Sequence, residues 1–279
     1  MKTYSSIPGL EGRRAVPCAL CGSRLARTFL KAADYSFVRC RGCGLVYQNP
    51  QPVFEDLRHR YAEDYFRYEL ENEANFFQLM LLGLADVGFE RRAAAFAPGG
   101  RFLDVGCATG MLLEHMRGGG WEVRGVDLCR QSVEYARRRR ELEVFAGTLF
   151  EAAFPPESFA VVHFSHLLEH VPEPREFLLE VRRILAPGGL AIITTPNVAG
   201  LQARLFGKRW RSAIADHLIL FSKKTLGALL GQTGFRTLAT QTWGGLALGT
   251  APGWLKLPAD RLAKRWGFGD VMLFLAAKG

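Results

Sequence analysis

The stretch Arg101-Phe-Leu-Asp-Val-Gly-Cys-Ala-Thr-Gly110 constrains this chain more than any other. Phe102 to Val105 is a short apolar run carrying one acid, Asp104, and reads as a buried strand. Gly106 and Gly110 follow at once, and Met111 to Met116 then reads as a helix. A buried strand feeding a glycine loop and then a helix is how α/β proteins hold a nucleotide-like ligand. Glycine lets the backbone approach that ligand with no Cβ in the way. The next strand is expected from Trp121 to Val126, ending at Asp127. An acid at that strand end can accept hydrogen bonds from the two hydroxyls of a ribose. The loop reads Gly-x-x-x-Gly, which differs from the Gly-x-Gly-x-x-Gly of dinucleotide binders.

Strand and helix patterns alternate from there onward. Arg130 to Arg140 predicts a helix closed by four arginines, whose charge complements the helix dipole at a solvated end. Leu142–Ala146, Ala160–Ser165 and Leu190–Thr195 read as strands, with a turn at Pro155–Phe159. Phe235–Thr242 and Val271–Ala277 read as the last strands. Upstream, apolar residues at helical spacing (Phe76, Leu79, Met80, Leu82, Leu84, Val87) predict a helix over Asn75–Phe96, stopped by Pro98-Gly-Gly100. The alternation predicts a parallel, doubly wound α/β sheet. Its ligand belongs at the C-terminal strand ends, where Gly106, Asp127, Ser165 and Asn197 would lie.

Near the N-terminus, Cys18-Ala-Leu-Cys21 and Cys40-Arg-Gly-Cys43 are two Cys-x-x-Cys pairs with eighteen residues between them, a spacing suited to a four-cysteine zinc site. A redox pair would need a strand–helix context that is missing, and a reducing compartment disfavours two disulfides. Four sulfur ligands leave no open position, so a zinc there would be structural. It would let the segment fold with almost no hydrophobic core.

His166-Leu-Leu-Glu-His170 matches the inverted zinc-peptidase motif when taken alone. That motif needs both histidines on one sustained helix. Here an apolar strand runs up to Ser165, and Pro172 and Pro174 cut any helix short.

The chain resembles the class I S-adenosylmethionine-dependent methyltransferases. The Asp-x-Gly-x-x-x-Gly loop at 104–110, the acid Asp127, Leu168-Glu-His-Val-Pro-Glu-Pro174, the turn Ala186-Pro-Gly-Gly189 and Asp216-His217-Leu-Ile-Leu-Phe-Ser222 carry the resemblance over about residues 75 to 240. It implies a mostly parallel seven-stranded sheet ending in an antiparallel hairpin. It also implies cofactor contacts from Asp104, Gly106, Cys107, Ala108, Gly110, Asp127, Leu128, Thr148, Leu149, Ser165 and His166. Relatives often place an acid where this chain has Thr148, and read Phe-Asp where it has Phe159-Ala160. Arg39 to Pro50 and Tyr61 to Phe66 look like the zinc-ribbon module found ahead of a subset of bacterial methyltransferases, some of which methylate carbons of nucleotide-linked deoxysugars. Tyr61, Tyr65, Phe66 and Tyr68 are expected to pack on the main domain. The organisation expected is a ribbon over residues 1–60 and a methyltransferase domain over 61–279. His170 and His217 are candidates for taking the acceptor's proton, since imidazole titrates near neutral pH; the alternative is that each braces a helix.

Composition narrows the rest. No apolar leader follows Met1 and no apolar run approaches a membrane span, so a cytoplasmic enzyme is expected. A net charge of +9 points to anionic partners without choosing among them. A methyl transfer to a hydroxyl or carbon of a small metabolite is the favoured function. Transfer to RNA is the alternative, weakened because the basic residues are dispersed and the cysteine segment lacks a row of stacking aromatics. A non-catalytic binding protein is a third reading, opposed by the intact loop and Asp127. The basic segment Gly200–Arg211 reads as an amphipathic helix that could meet phosphate or anionic lipid.

Overall fold

The structure is a computed structural model describing residues 12–53, 63–96, 99–245 and 261–279. The expectations for Tyr61, for the Tyr65 side chain and for Pro98 lie outside those residues. Among the described residues, no helix is long and apolar enough to cross a membrane.

The first of the described residues form a small ribbon. Arg13–Arg14 (β1) meets Gln51–Pro52, the ribbon's fifth strand. Between them Ala26–Lys31 (β2), Ser36–Cys40 (β3) and Val46–Gln48 (β4) form an antiparallel meander. One Cys-x-x-Cys turn precedes β2 and the other joins β3 to β4. Gly22 and Gly44, each just after a pair, sit at φ 72° and 82°, where a side chain would be strained.

Helix Glu63–Asp86 (α1) and the short Phe89–Ala93 (α2) replace the single helix expected over Asn75–Phe96. The first half of α1 is rich in Glu and carries no apolar period, so the pattern hid its start. Gly88, at φ 62° and ψ 43°, breaks the helix in two.

The main sheet follows. Its strands are Arg101–Val105 (β6), Glu122–Asp127 (β7), Val144–Ala146 (β8), Phe159–Ser165 (β9), Leu185–Pro196 (β10), Phe235–Trp243 (β12) and Val271–Lys278 (β13), in the order β12-β13-β10-β9-β6-β7-β8. Strands β6 to β10 are parallel neighbours, and β13 runs antiparallel to β10 and β12, the hairpin edge expected. The strand order reverses beside β6, the switch point at which such sheets bind ligand. Met111–Gly118 (α3), Arg130–Arg140 (α4), Pro174–Ile184 (α5) and Lys223–Gln232 (α7) cover its faces. Adjacent residues on a strand point to opposite faces. Thus Val162 joins the apolar layer built with Phe177, Leu178 and Val181 of α5, whereas Val161 joins the layer of Leu112, Leu113 and Val133.

Leu201–Phe206 (α6) is shorter than the helix expected over Gly200–Arg211. Trp210 is buried, its indole N–H donates to the buried Asp270, and Arg211 Nε reaches the same carboxylate at 2.6 Å. The end of this segment is therefore an anchor, while Arg204, Lys208 and Arg209 face solvent. The arginine run that closes α4 also divides. Arg138 and Arg139 are exposed as expected, but Arg137 caps the Val144 carbonyl and Arg140 is committed to the glycine loop, described below.

Ile219–Leu220 (β11) pairs with β4, so a strand from deep in the chain completes the ribbon's sheet. Cys18, Leu20, Leu45 and Tyr47 of the ribbon share one apolar core with Leu168, Leu218 and Phe221.

Candidate active site

The glycine loop joins β6 to α3. Gly106 and Gly110 stand at φ 76° and 82°, and Ala108 between them at 48°, so three of its residues adopt the left-handed region. A Cβ on Gly110 would come within 2.5 Å of Leu142 and would push the helix start off the sheet. The N–H groups of Gly106 and Cys107 both donate to Val126 O, at 2.7 and 3.2 Å, which fastens the loop to β7.

Asp127 ends β7 beside this loop. Its carboxylate accepts from the Ala108 N–H at 2.8 Å and from the Cys129 N–H at 2.7 Å. Burial pushes the carboxyl up to about 6, and those N–H donors oppose the rise. The acid expected to meet a ribose is thus also the brace of the loop. Each oxygen keeps a second lone pair for a ligand hydroxyl.

Asp104 lies deeper. Its carboxylate is 4% exposed and accepts from His163 Nδ1 at 2.7 Å across the β6–β9 pair, so it anchors the motif from beneath. His163 was not anticipated, because an apolar strand carrying one histidine gives no signal of its partner. Cys107 is buried, Leu128 is half-buried, and Cys129 starts α4. Thr148 and Glu151 bond reciprocally, the Thr148 N–H to the Glu151 carboxylate at 2.7 Å and the Glu151 N–H to the Thr148 hydroxyl at 3.1 Å. An acid therefore reaches the Thr148 position from three residues on. Leu149 is buried beside this turn.

Helix α1 lies over the loop. Thr109 Oγ1 donates to Glu73 at 2.8 Å, while Arg140 donates to Thr109 O at 3.0 Å and pairs with Glu73 at 2.9 Å and with Glu114. Periodicity hid Glu73 and Arg140 because they sit on faces that read as solvated. Phe66, at the start of α1, packs its ring 5.9 Å from that of Tyr135 on α4, as expected of a packing residue. Tyr68 pairs with Phe76 at 6.0 Å and stays half exposed.

A second cluster begins where β9 ends. Ser165 is half-buried, and His166, at φ 52°, turns the chain out of the sheet. The single turn Leu168–His170 follows, then Pro174 in the first turn of α5, as the proline argument required. Glu169 is fully buried. Its carboxylate accepts from Thr195 Oγ1 at 2.9 Å and from His166 Nδ1 at 3.3 Å. Burial would push that carboxyl up, but the hydrogen bond from His166 prevails and holds it at about 2. His170 and His217 meet edge to face, ring centres 4.7 Å apart. His217 is buried, and that burial pushes it down to about 3. It is therefore a neutral imidazole at physiological pH. Sequence reading singled out both histidines but carried Glu169 only as part of its motif; the fold buries it and brings a carboxylate oxygen within 4.8 Å of both. Asn197, by contrast, is a turn residue: its side chain donates to Gly269 O and accepts from the Ala199 N–H.

In the ribbon, the sulfurs of Cys18 and Cys43 lie 3.4 Å apart and those of Cys21 and Cys40 3.5 Å, with all four within 4.8 Å of one another. None forms a disulfide. Tetrahedral zinc–thiolate bonds of about 2.3 Å would set the sulfurs near 3.8 Å apart, so the cluster is compatible with zinc. Burial opposes ionisation of Cys40, yet the N–H groups of Cys43 and Gly42 and the Cys21 thiol bring it down to about 6.

Residues 83–240, more than half of the chain, match the family model described as a methyltransferase domain. The chain belongs to the S-adenosylmethionine-dependent methyltransferases. It is 31% identical over 151 residues to a ubiquinone biosynthesis O-methyltransferase of Thiobacillus denitrificans, covering 52% of this chain and 61% of that protein. A Neisseria meningitidis protein of the same name is 36% identical over 107 residues, covering 36% and 45%. The chain therefore spans about half the length of the curated relatives it matches. A Thermotoga maritima methyltransferase of known structure shares the fold with a TM-score of 0.55 at 20% identity, covering 77% of this chain and 98% of that one.

Proposed function

We propose that this methyltransferase moves a methyl group from S-adenosylmethionine to a hydroxyl or carbon of a small-molecule acceptor, with a structural zinc in its ribbon. The O-methyltransferase relatives favour the hydroxyl. The observation that carries the reading is the Asp127–Ala108 hydrogen bond, which sets a buried carboxylate against the glycine loop. A ligand that needs both a backbone cradle and a carboxylate for its ribose fits there.

When bound, S-adenosylmethionine supplies the methyl group on a sulfonium that is already a good leaving group. The loop from Gly106 to Gly110 holds the methionine end, with Ser165 and His166 near it, and Asp127 holds the ribose. Thr148, Leu149 and Glu151 border the base. Alignment provides most of the acceleration in such a displacement, with proton removal added for a weakly nucleophilic acceptor. The cluster of Glu169, His170 and His217 promotes loss of the acceptor's proton. Cys18, Cys21, Cys40 and Cys43 hold the zinc, and a reducing cytoplasm suits four free thiols.

Purified protein given methyl-labelled S-adenosylmethionine and cell extract tests the reading. Label is expected in the small-molecule fraction. Label confined to RNA or protein would overturn it.

A further inference from the structure

The cluster beyond β9 has a composition that proton transfer alone does not require. Glu169, His170 and His217 each offer a ligand atom, and these atoms lie within 4.8 Å of one another. One histidine next to an acceptor would be enough for a general base. A second imidazole and a fully buried carboxylate are superfluous to that role.

The surroundings fix how the three present themselves. His170 Nδ1 lies 2.9 Å from Asp216 O, and His217 Nδ1 lies 2.8 Å from Ser212 O. A carbonyl oxygen only accepts, so each Nδ1 carries the proton and each neutral ring bears its lone pair at Nε2. Imidazole held by an Nδ1–H donation to a carbonyl is the arrangement in which histidine ligates metals, because the partner fixes both tautomer and ring orientation. Glu169 is held the same way from both sides, by Thr195 and His166. All three residues are thus held by hydrogen bonds while one ligand atom of each lies within 4.8 Å of the others.

We infer that Glu169, His170 and His217 form a binding site for a divalent first-row cation, separate from the four-cysteine cluster. Two imidazoles and one carboxylate suit Mn²⁺, Fe²⁺, Co²⁺ or Zn²⁺. Three protein ligands leave coordination positions open, unlike four thiolates. The role of the cation rests on the proposed transfer to a hydroxyl. It would polarise the acceptor oxygen and lower the pKa of its hydroxyl, as metals do for bound water. The O–H proton then leaves to solvent past the exposed His166. The freed electron pair forms the O–CH3 bond while the C–S bond breaks with its electrons returning to sulfur. The products are a methyl ether, S-adenosylhomocysteine and one proton.

Electron paramagnetic resonance of Mn²⁺ tests binding without reference to activity. Free aqueous Mn²⁺ gives a sharp six-line signal that is lost on coordination, and Mn²⁺ does not compete for thiolate-bound zinc. Titrated into the full-length, zinc-loaded protein, Mn²⁺ is expected to lose its free signal up to one ion per chain. His217→Ala should weaken this at least about 10-fold, the scale of losing one member of a metal site. His170→Ala, at a half-buried position that a folded protein tolerates, should do the same, with the zinc content and circular dichroism of both variants unchanged. An undiminished free signal with the wild type, or wild-type binding by folded His170→Ala, would overturn the assignment. Mn²⁺ binding without methyl transfer to any hydroxyl would leave the site standing and sink the proposed function. Methyl transfer that needs no metal would sink the cation's role in the reaction and leave the proposed function standing.

Discussion

Gln48, in the last strand of the ribbon meander, donates from its side-chain Nε2 to the main-chain oxygen of His217 at 3.3 Å and to that of Ala215 at 3.1 Å. Its own N–H donates to Leu218 O, and the Leu218 N–H to Glu169 O. The ribbon therefore holds the segment that brings His217 to Glu169. Its sheet includes β11 for the same reason.

That connection makes Gln48 testable. Gln48 is 1% exposed, and Gln48→Ala removes the donor to the buried His217 carbonyl and the half-buried Ala215 carbonyl. A loss of about 1–3 kcal/mol of stability is expected in denaturant melts. Turnover should fall while S-adenosylmethionine affinity, set at the far strand ends, stays within twofold. Equal losses of both would show that the ribbon supports the fold as a whole rather than the histidine segment.

Zinc removal should reach the same segment. Elemental analysis is expected to show about one thiolate-bound zinc per chain, the stoichiometry of a four-ligand site. Cys40→Ser should lose it and His217→Ala should keep it. Retention of that zinc by Cys40→Ser would refute the assignment.

Glu73 and Arg140 predict that helix α1 tightens the cofactor site from above. Glu73→Gln removes the charge that Arg140 meets at 2.9 Å and weakens the bond to Thr109. S-adenosylmethionine affinity should fall by severalfold, with little change in turnover at saturation. Unchanged affinity in calorimetry would mean that α1 merely rests on the loop.

These residues mark where the sequence ran out. Strand–loop–helix chemistry at Arg101–Gly110 and the Cys-x-x-Cys pairs are local, so spacing alone exposes them. Helix Arg130–Arg140 and the last two strands were legible because period and punctuation agree there, while their antiparallel pairing was implied by the family resemblance. Glu73 and Glu169 were not. Glu73 is an ordinary glutamate in sequence, and only the packing of α1 over the loop gives it a partner; Glu169 stands inside a motif, but its burial against Thr195 is set by the fold. The helix break at Gly88 was hidden because one glycine within an apolar period is compatible with either one helix or two.

Asp127 predicts a pH dependence with two opposite parts. Its carboxyl stands at about 6 in the folded protein, above its ordinary 3.8. A raised acid contributes stability that is full below 3.8 and lost as pH rises through 6, so mild acid favours the empty protein at this residue. Ribose hydroxyls need the ionised acceptor, so S-adenosylmethionine affinity should be steady above about pH 7 and fall by up to tenfold per unit below about 6. Affinity that rises on acidification would contradict the ribose contact.

The central claim is that the Gly106–Gly110 loop and Asp127 together form the S-adenosylmethionine site, and titration calorimetry tests it most directly. The wild type should bind S-adenosylmethionine, and Asp127→Ala should weaken that binding by about 1.5–3 kcal/mol, the cost of losing hydrogen bonds to a charged group. No binding by the wild type, a preference for NAD, or full affinity in a folded Asp127→Ala protein would contradict it.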